Sequence, residues 1–113
     1  MFESNFCFCF EGVTAAQVSP EREGVTQSED ESVTLKCSYQ TSSNNVYLYW
    51  YRQYPAQAPH YLLRKGARSN SGKHSSDPRF DSTTSQTSTE LHIKDLTLAD
   101  TALYYCALRE LAQ

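Results

Sequence analysis

Two cysteines and the single tryptophan each fall on the apolar side of a segment in which apolar and polar residues alternate. Residues 33–37 read VTLKC, with Cys37 on the apolar side. Trp50 and Cys106 lie on the apolar side of two other alternating segments. Alternation at period two puts successive side chains on opposite faces of a β-strand. Three strands are therefore expected to direct Cys37, Trp50 and Cys106 into one interior.

The remaining alternation and its interruptions predict an all-β fold. Leu91 and Ile93 alternate with polar residues, and no stretch sustains a helical period. Residues that favour turns interrupt the pattern at 42–45, 54–59 and 69–72. A tryptophan packed against two cysteines between sheets is typical of the immunoglobulin sandwich, so we expect two antiparallel sheets with Greek-key connections. The predicted core contains Leu35, Trp50, Leu91, Ile93 and Tyr104.

The segment that leads to Cys106 carries two features that agree with such a sandwich. Tyr104 stands at the position of the tyrosine corner, a tyrosine whose hydroxyl bonds to the backbone upstream. Arg79 opens a strand after a proline, and from there it could reach Asp100 at the bottom of the sandwich. We therefore expect an ion pair between Arg79 and Asp100 that supports the fold.

Residues 1–16 differ from the rest of the chain and are interpreted as a truncated or mis-joined secretory leader. Phenylalanine and cysteine alternate at 6–10, and residues 13–16 are small, as signal peptidase requires. Glu3 and the short apolar stretch depart from an ordinary leader, which has a basic start and about 7–15 apolar residues. The alternative interpretation is an N-terminal extension that forms a short strand.

Cysteine pairing depends on how those first residues are interpreted. The four cysteines allow three sets of pairs. If Cys7 and Cys9 leave with a leader, only Cys37 and Cys106 remain. Their bond would close a long loop, stabilise the fold by roughly 4 kcal/mol in the chain-entropy model, and persist in an oxidising compartment. Two reduced, buried thiols in a cytosolic domain are the alternative.

Composition and motifs argue against catalysis, metal binding and nucleic-acid binding. A chain of net charge -3 lacks the clustered positive charge that phosphate groups require. His60, His74 and His92 have no spacing that converges on a metal ion. The sequence contains no nucleophile elbow and no glycine-rich phosphate loop. We therefore expect neither enzyme activity nor a cofactor, and no apolar run approaches the roughly 18 residues of a membrane span.

Three segments carry a family pattern, namely WYRQYP at 50–55, PHYLLR at 59–64 and LYYCALR at 103–109. They resemble the variable domains of antigen receptors, most closely those of T-cell receptor alpha or delta chains. The resemblance covers residues 17–109 and implies an immunoglobulin V-type domain on the extracellular side of the cell surface. The family closes this domain with a strand introduced by Phe-Gly-x-Gly, a motif that the tail at 110–113 does not contain.

The absence of that motif leads to two expectations about the end of the domain. The final strand is expected to be missing or incomplete, which leaves an open sheet edge along residues 102–108. Attachment to a membrane is expected only through segments downstream of this chain.

Alternation around Trp50 predicts an exposed aromatic face, and the resemblance gives that face a role. If Trp50 points inward, then Tyr49, Tyr51 and Gln53 point outward from the same strand. Exposed tyrosines on a sheet usually mark a protein interface. By resemblance, this face packs on the variable domain of a partner chain in a heterodimer, where Gln53 bonds to its counterpart. The residues expected at this interface are Tyr51, Gln53, Pro59, Tyr61 and Tyr105.

Loops at one end of the sandwich are expected to bind the ligand. They begin near Thr41, Lys65 and Ala107, and their small polar residues suit a binding loop. By resemblance, the ligand is a peptide presented by a histocompatibility molecule. The residues predicted to contact it are Ser42, Ser43, Asn44, Asn45, Tyr47, Lys65, Arg68, Ser69, Asn70, Leu108 and Arg109. The alternative function is a non-rearranging V-type domain of a cell-surface adhesion protein or immune co-receptor.

Overall fold

A computed structural model describes residues 2–8, 17–20, 24–27 and 30–111, with side chains from residue 30 onward. Within these ranges no helix has the length and apolar character needed to cross a membrane, and no side-chain cluster is suited to a metal ion. The elements are β1 (Phe2–Phe8), β2 (Gln17–Pro20), β3 (Gly24–Gln27), β4 (Val33–Gln40), β5 (Asn45–Gln53), β6 (His60–Arg68), β7 (Lys73–Ser75), β8 (Phe80–Thr84), β9 (Ser88–Ile93), a 3-10 turn (Leu98–Asp100) and β10 (Leu103–Glu110).

The strands form two sheets with the core between them. The larger sheet has the order β3-β1-β10-β5-β6-β7, and the smaller has the order β2-β4-β9-β8. Neighbouring strands run antiparallel except β1 and β10, which are parallel. After β5, β6 and β7 in the larger sheet, the chain crosses to the smaller sheet for β8 and β9. It then returns to the larger sheet, where β10 pairs with β5. The predicted immunoglobulin V-type sandwich is confirmed.

A disulfide joins the two sheets through the core. Cys37 on β4 is bonded to Cys106 on β10, with the Cα atoms 6.7 Å apart, which confirms the expected pair. Trp50 lies opposite Cys106 in the ladder between β5 and β10 and is fully buried. The other predicted core residues are buried in the same cluster, namely Leu35, Leu91, Ile93 and Tyr104.

A β-bulge between β5 and β6 changes which residues face outward. The pairing steps from Trp50 opposite Leu63 to Tyr51 opposite Tyr61, so Leu62 is left out of register. Leu62 and Leu63 are consequently both buried, whereas simple alternation would place one of them on the outer face. The bulge thereby aligns Tyr51 with Tyr61 across the strand pair.

The edge of β10 is occupied along residues 103–106. Asn5 lies opposite Leu103 and Phe8 lies opposite Cys106, because β1 pairs with β10 in parallel register. The expected open edge is therefore wrong over this stretch, since the N–H and C=O groups of an edge strand pair with any extended segment that reaches them. The interpretation of residues 1–16 as a leader stays a prediction, and the alternative of a short N-terminal strand agrees with β1 at Phe2–Phe8. Met1 and residues 9–16 and 112–113 lie outside the described residues.

Candidate recognition surfaces

Four tyrosines and a histidine form a continuous layer of rings on the outer side of the six-stranded sheet. This surface, the tyrosine face, consists of Tyr47, Tyr49 and Tyr51 on β5, Tyr61 on β6 and His74 on β7. The Tyr49 and Tyr51 rings stack with centroids 6.1 Å apart, and Tyr61 meets them edge-on at 6.4 and 6.2 Å. The His74 ring stacks on Tyr61 at 5.6 Å, and its Nδ1 lies 2.8 Å from the Tyr61 hydroxyl. These contacts fix the orientation of the rings relative to one another.

Two arginines border the tyrosine face at the end nearest the loops. The guanidinium of Arg64 lies over the Tyr47 ring, 5.3 Å from its centroid. Nη1 of Arg109 lies 3.4 Å from the Tyr49 hydroxyl. A cation over an aromatic ring is attracted by the negative face of that ring, so Arg64 adds to the order of the surface.

Gln53 lies at the other end of β5, and its side-chain amide already makes two hydrogen bonds. Tyr105 donates its hydroxyl to Oε1 at 2.5 Å, and Nε2 donates to the carbonyl of Gln57 at 2.7 Å. An amide has two N–H donors and two oxygen lone pairs. Among the residues that the structure describes, one N–H and one oxygen lone pair of the Gln53 amide are therefore not used by these two bonds.

The structure brings most of the predicted interface residues onto one surface. Tyr51 lies opposite Tyr105 in the β5–β10 ladder and opposite Tyr61 in the β5–β6 ladder. All three are half-buried, as is Gln53, and Pro59 is exposed just before β6. The sheet therefore presents Tyr51, Gln53, Tyr61 and Tyr105 side by side.

The first loop, which joins β4 to β5, is held by its own side chains and by the end of β10. The Ser43 N–H donates to Thr41 Oγ1 at 3.1 Å, and the Asn45 N–H donates to Ser43 Oγ at 3.2 Å. Thr41 in turn donates its hydroxyl to the carboxylate of Glu110, and the Leu111 N–H donates to the Asn45 carbonyl at 2.9 Å. The start of the third loop is thus tied to the first loop.

The second loop turns sharply between β6 and β7. The Gly66 N–H donates to the Gly72 carbonyl at 2.7 Å, and Asn70 Oδ1 accepts the Gly72 N–H at 2.8 Å. A Cβ atom on Gly66 would clash with the side chain and the carbonyl oxygen of Asn70, so a larger residue would displace this turn. Ser69 donates its hydroxyl to the Asn44 carbonyl at 2.5 Å, which joins the second loop to the first. Ser69 and Asn44 are both exposed, as is Ser42.

Several residues predicted to contact the ligand lie in strands. Leu108 is inside β10 and fully buried in the core, so its prediction as a ligand contact is wrong. Lys65 is inside β6, where its Nζ donates to the Ser82 carbonyl at 3.0 Å. Tyr47 belongs to β5 and Arg109 to β10, because the backbone ladder between these strands continues to Val46 and Glu110. The third loop therefore begins later than the sequence indicated.

At the opposite end of β5, Asp100 binds two arginines. Arg79 donates from Nη1 to Oδ2 at 2.9 Å and from Nη2 to Oδ1 at 3.0 Å. Arg52 donates from Nη1 to Oδ1 at 2.9 Å, and the Thr97 N–H donates to Oδ2 at 2.9 Å. The Tyr104 hydroxyl donates to the Asp100 carbonyl, as a tyrosine corner does. The structure therefore contains the Arg79–Asp100 pair and adds a second cation to it.

Arg52 follows Trp50 by two residues, so alternation directs it inward as well, but the sequence does not indicate its partner. An arginine that faces the interior needs an acceptor, since burying an unpaired charge is costly, and this requirement was the signal that could have identified it. Burial alone would raise the pKa of Asp100, but the bonds from Arg79, Thr97 and Arg52 outweigh it and hold that pKa below its ordinary value. Burial raises the pKa of the neighbouring Tyr104 to about 12.

Comparison with known proteins identifies the family of this chain. The family model described as the immunoglobulin V-set domain matches residues 19–112. The chain belongs to the immunoglobulin V-set family. Its relatives include human T cell receptor alpha variable 38-1, which is 36% identical over 101 residues that cover 88% of this chain and 85% of the relative.

Two further relatives of this V-set chain are of the same kind. Human T cell receptor alpha variable 3 is 35% identical over 103 residues, which cover 91% of this chain and 90% of the relative. The rabbit T-cell receptor alpha chain V region RL-5 is 39% identical over 98 residues, which cover 83% of this chain and 69% of the relative. The resemblance carried by residues 50–55, 59–64 and 103–109 is thereby confirmed.

Proposed function

We propose that this chain is the antigen-recognition variable domain of a T-cell receptor alpha or delta chain, displayed on the extracellular side of the cell surface. Its role is binding and not catalysis. The observation that carries the proposal is the tyrosine face, an ordered aromatic surface on the sheet that contains Trp50 and Cys106. Residues 1–16 are proposed to be a truncated or mis-joined secretory leader, of which residues 2–8 form β1 where the segment is retained.

Pairing with the variable domain of a partner chain is the first part of the proposal. Tyrosines that are already stacked lose little conformational freedom on binding, so their burial converts efficiently into affinity. The donor and acceptor that remain on Gln53 suit a reciprocal pair of hydrogen bonds with an amide of the partner. The same surface offers aromatic area at its centre and a polar group at its rim, as protein interfaces do.

Binding of a peptide presented by a histocompatibility molecule is the second part. Ser42, Asn44 and Ser69 expose small polar groups on two loops that are joined by a hydrogen bond. Short polar side chains on a preorganised backbone provide adaptable hydrogen bonds to an extended peptide. The relatives are receptor variable segments, which favours this role over that of a non-rearranging adhesion domain.

Tyr51→Ala is expected to weaken binding to a receptor variable domain of the complementary chain type by about 30-fold, because truncation of a central interface tyrosine costs about 2 kcal/mol. Lys36→Ala is the matched control, since Lys36 is exposed on β4 in the opposite sheet and should leave the affinity unchanged. Sedimentation velocity with a panel of such domains measures both dissociation constants. Equal affinities for the two variants would place the partner on another surface and refute pairing through the tyrosine face.

A further inference from the structure

Arg68 lies where two loops meet at the recognition end of the sandwich. Its guanidinium donates from Nη1 to the carbonyls of Thr41 at 2.7 Å and Ser43 at 2.6 Å. Nε and Nη2 donate to the carbonyl of Gln86 at 3.2 and 2.6 Å. Thr41 and Ser43 belong to the first loop, and Gln86 lies in the turn between β8 and β9. One side chain therefore joins two segments that are distant in sequence.

The ring of Tyr39 completes this arrangement on the side of the core. The guanidinium carbon of Arg68 lies 5.2 Å from the Tyr39 ring centroid, and Tyr39 is buried. The Tyr39 hydroxyl donates to the Ser85 carbonyl at 2.6 Å, and its N–H donates to the Thr87 carbonyl at 2.8 Å. Tyr39 thus fixes the same turn that accepts hydrogen bonds from Arg68. The guanidinium therefore lies between a buried, hydrogen-bonded tyrosine and the carbonyls of both segments.

The backbone of Arg68 adopts a conformation that residues with side chains rarely take. Its backbone angle φ is 62°, in the left-handed region of the Ramachandran plot. Such a backbone conformation persists only where surrounding contacts hold it in place. Here the next residue, Ser69, also binds the first loop. The Ser69 N–H and hydroxyl both donate to the Asn44 carbonyl, at 2.9 and 2.5 Å. Arg68 and Ser69 together bind the carbonyls of Thr41, Ser43 and Asn44.

We propose that Arg68 is a positioning residue that holds the first recognition loop against the β8–β9 turn and does not itself contact the ligand. This role rests on the proposed function, because it defines what supports the binding surface. Lysine cannot fill it, since an ammonium group is a single point of charge, whereas the planar guanidinium donates in several fixed directions. The turn that contains Gln86 consequently belongs to the support of the recognition surface.

Amide hydrogen exchange of the full chain tests this role without ligand or partner. In Arg68→Lys, the N–H groups of Ser43 and Asn45 should exchange about tenfold faster, because loss of a charge-assisted hydrogen-bond network lets the loop open more often. The N–H of Leu48 in the core should keep its rate. Lys36→Ala, which removes an exposed cation from β4, is the control and should change none of these rates. Arg68→Met keeps the aliphatic stem and should reproduce the effect.

Two results would overturn the proposal. Unchanged exchange at Ser43 and Asn45 in both Arg68 variants would show that the loop is held without the guanidinium. Equal acceleration at the loop and at Leu48 would show that Arg68 only stabilises the fold as a whole. Failure of the proposed function can be distinguished from failure of this proposal. A chain that binds no receptor variable domain would refute the proposed function and would still show the exchange rates expected for the Arg68 variants.

Discussion

Replacing Asp100 by alanine is expected to lower the free energy of unfolding by about 3–5 kcal/mol. The substitution removes the carboxylate that binds Arg52 and Arg79, and the Thr97 N–H loses its acceptor. Removing one member of a buried ion pair is costly because the charges that remain are still partly desolvated. Domains of this size are typically stable by about 5–15 kcal/mol, so the variant should retain a small part of that stability. Urea unfolding followed by Trp50 fluorescence measures the loss.

Asp81→Ala is the control for this prediction. Asp81 is exposed on β8, and its replacement should change the free energy of unfolding by less than about 1 kcal/mol. Similar losses in the two alanine variants would show that the two-arginine arrangement around Asp100 contributes no special stability.

The contribution of Asp100 should also depend on pH. A carboxyl whose pKa is lower in the folded than in the unfolded protein stabilises the fold above its unfolded pKa of about 4 and loses that contribution as the pH falls through the folded pKa. The difference in unfolding free energy between the wild type and Asp100→Asn should therefore be smaller near pH 3 than near pH 7. A difference that does not change with pH would contradict the assignment of the stabilisation to the charged carboxylate.

Loss of the disulfide is expected to destabilise the protein by roughly 4 kcal/mol, because the bond closes a loop with a sequence separation of 69 residues. The double variant Cys37→Ala, Cys106→Ala removes the bond and leaves space beside the buried Trp50, which adds to the cost. Urea unfolding and the yield of secreted protein measure the effect. Peptide mapping of the non-reduced wild-type protein should recover the two cysteines in one linked peptide pair. Free thiols at both positions in secreted protein would contradict the core as described.

Residues that face a closed interior were predictable from local pattern. Cys37, Trp50 and Tyr104 lie on strands that have a single apolar face. Because that face must be the buried one, the inward direction of these side chains follows from the two-residue period alone. The Arg79–Asp100 pair was predictable from position, since Arg79 opens one strand and Asp100 precedes another at the same end of the sandwich.

Features that depend on register between strands could not be predicted in the same way. The bulge that aligns Tyr51 with Tyr61 arises where β5 and β6 pair. The sequence of either strand alone does not predict it. Leu108 is predicted as a ligand contact because the third loop is expected to begin near Ala107, although the ladder with β5 continues past it. The pairing of β1 with β10 likewise depends on a contact between the two ends of the chain.

Arg68 illustrates a further limit of reasoning from residue type. A basic residue near a polar loop predicts a ligand contact from the sequence, whereas the structure shows that its donors bind the carbonyls of Thr41, Ser43 and Gln86. Every residue has a backbone carbonyl, so the sequence does not indicate which carbonyls an arginine will bind. The partners of Arg68 are known only once the positions of the loops are known.

The most direct test of the proposed variable domain is hydrogen exchange of the full chain with and without a receptor variable domain of the complementary chain type. Binding through the tyrosine face should slow exchange in β5, β6 and β10 around Tyr51, Tyr61 and Tyr105, and should leave β4 and β9 of the opposite sheet unchanged. Protection confined to β4 and β9, or none in either sheet at saturating partner, would contradict the assignment of the tyrosine face as the pairing surface.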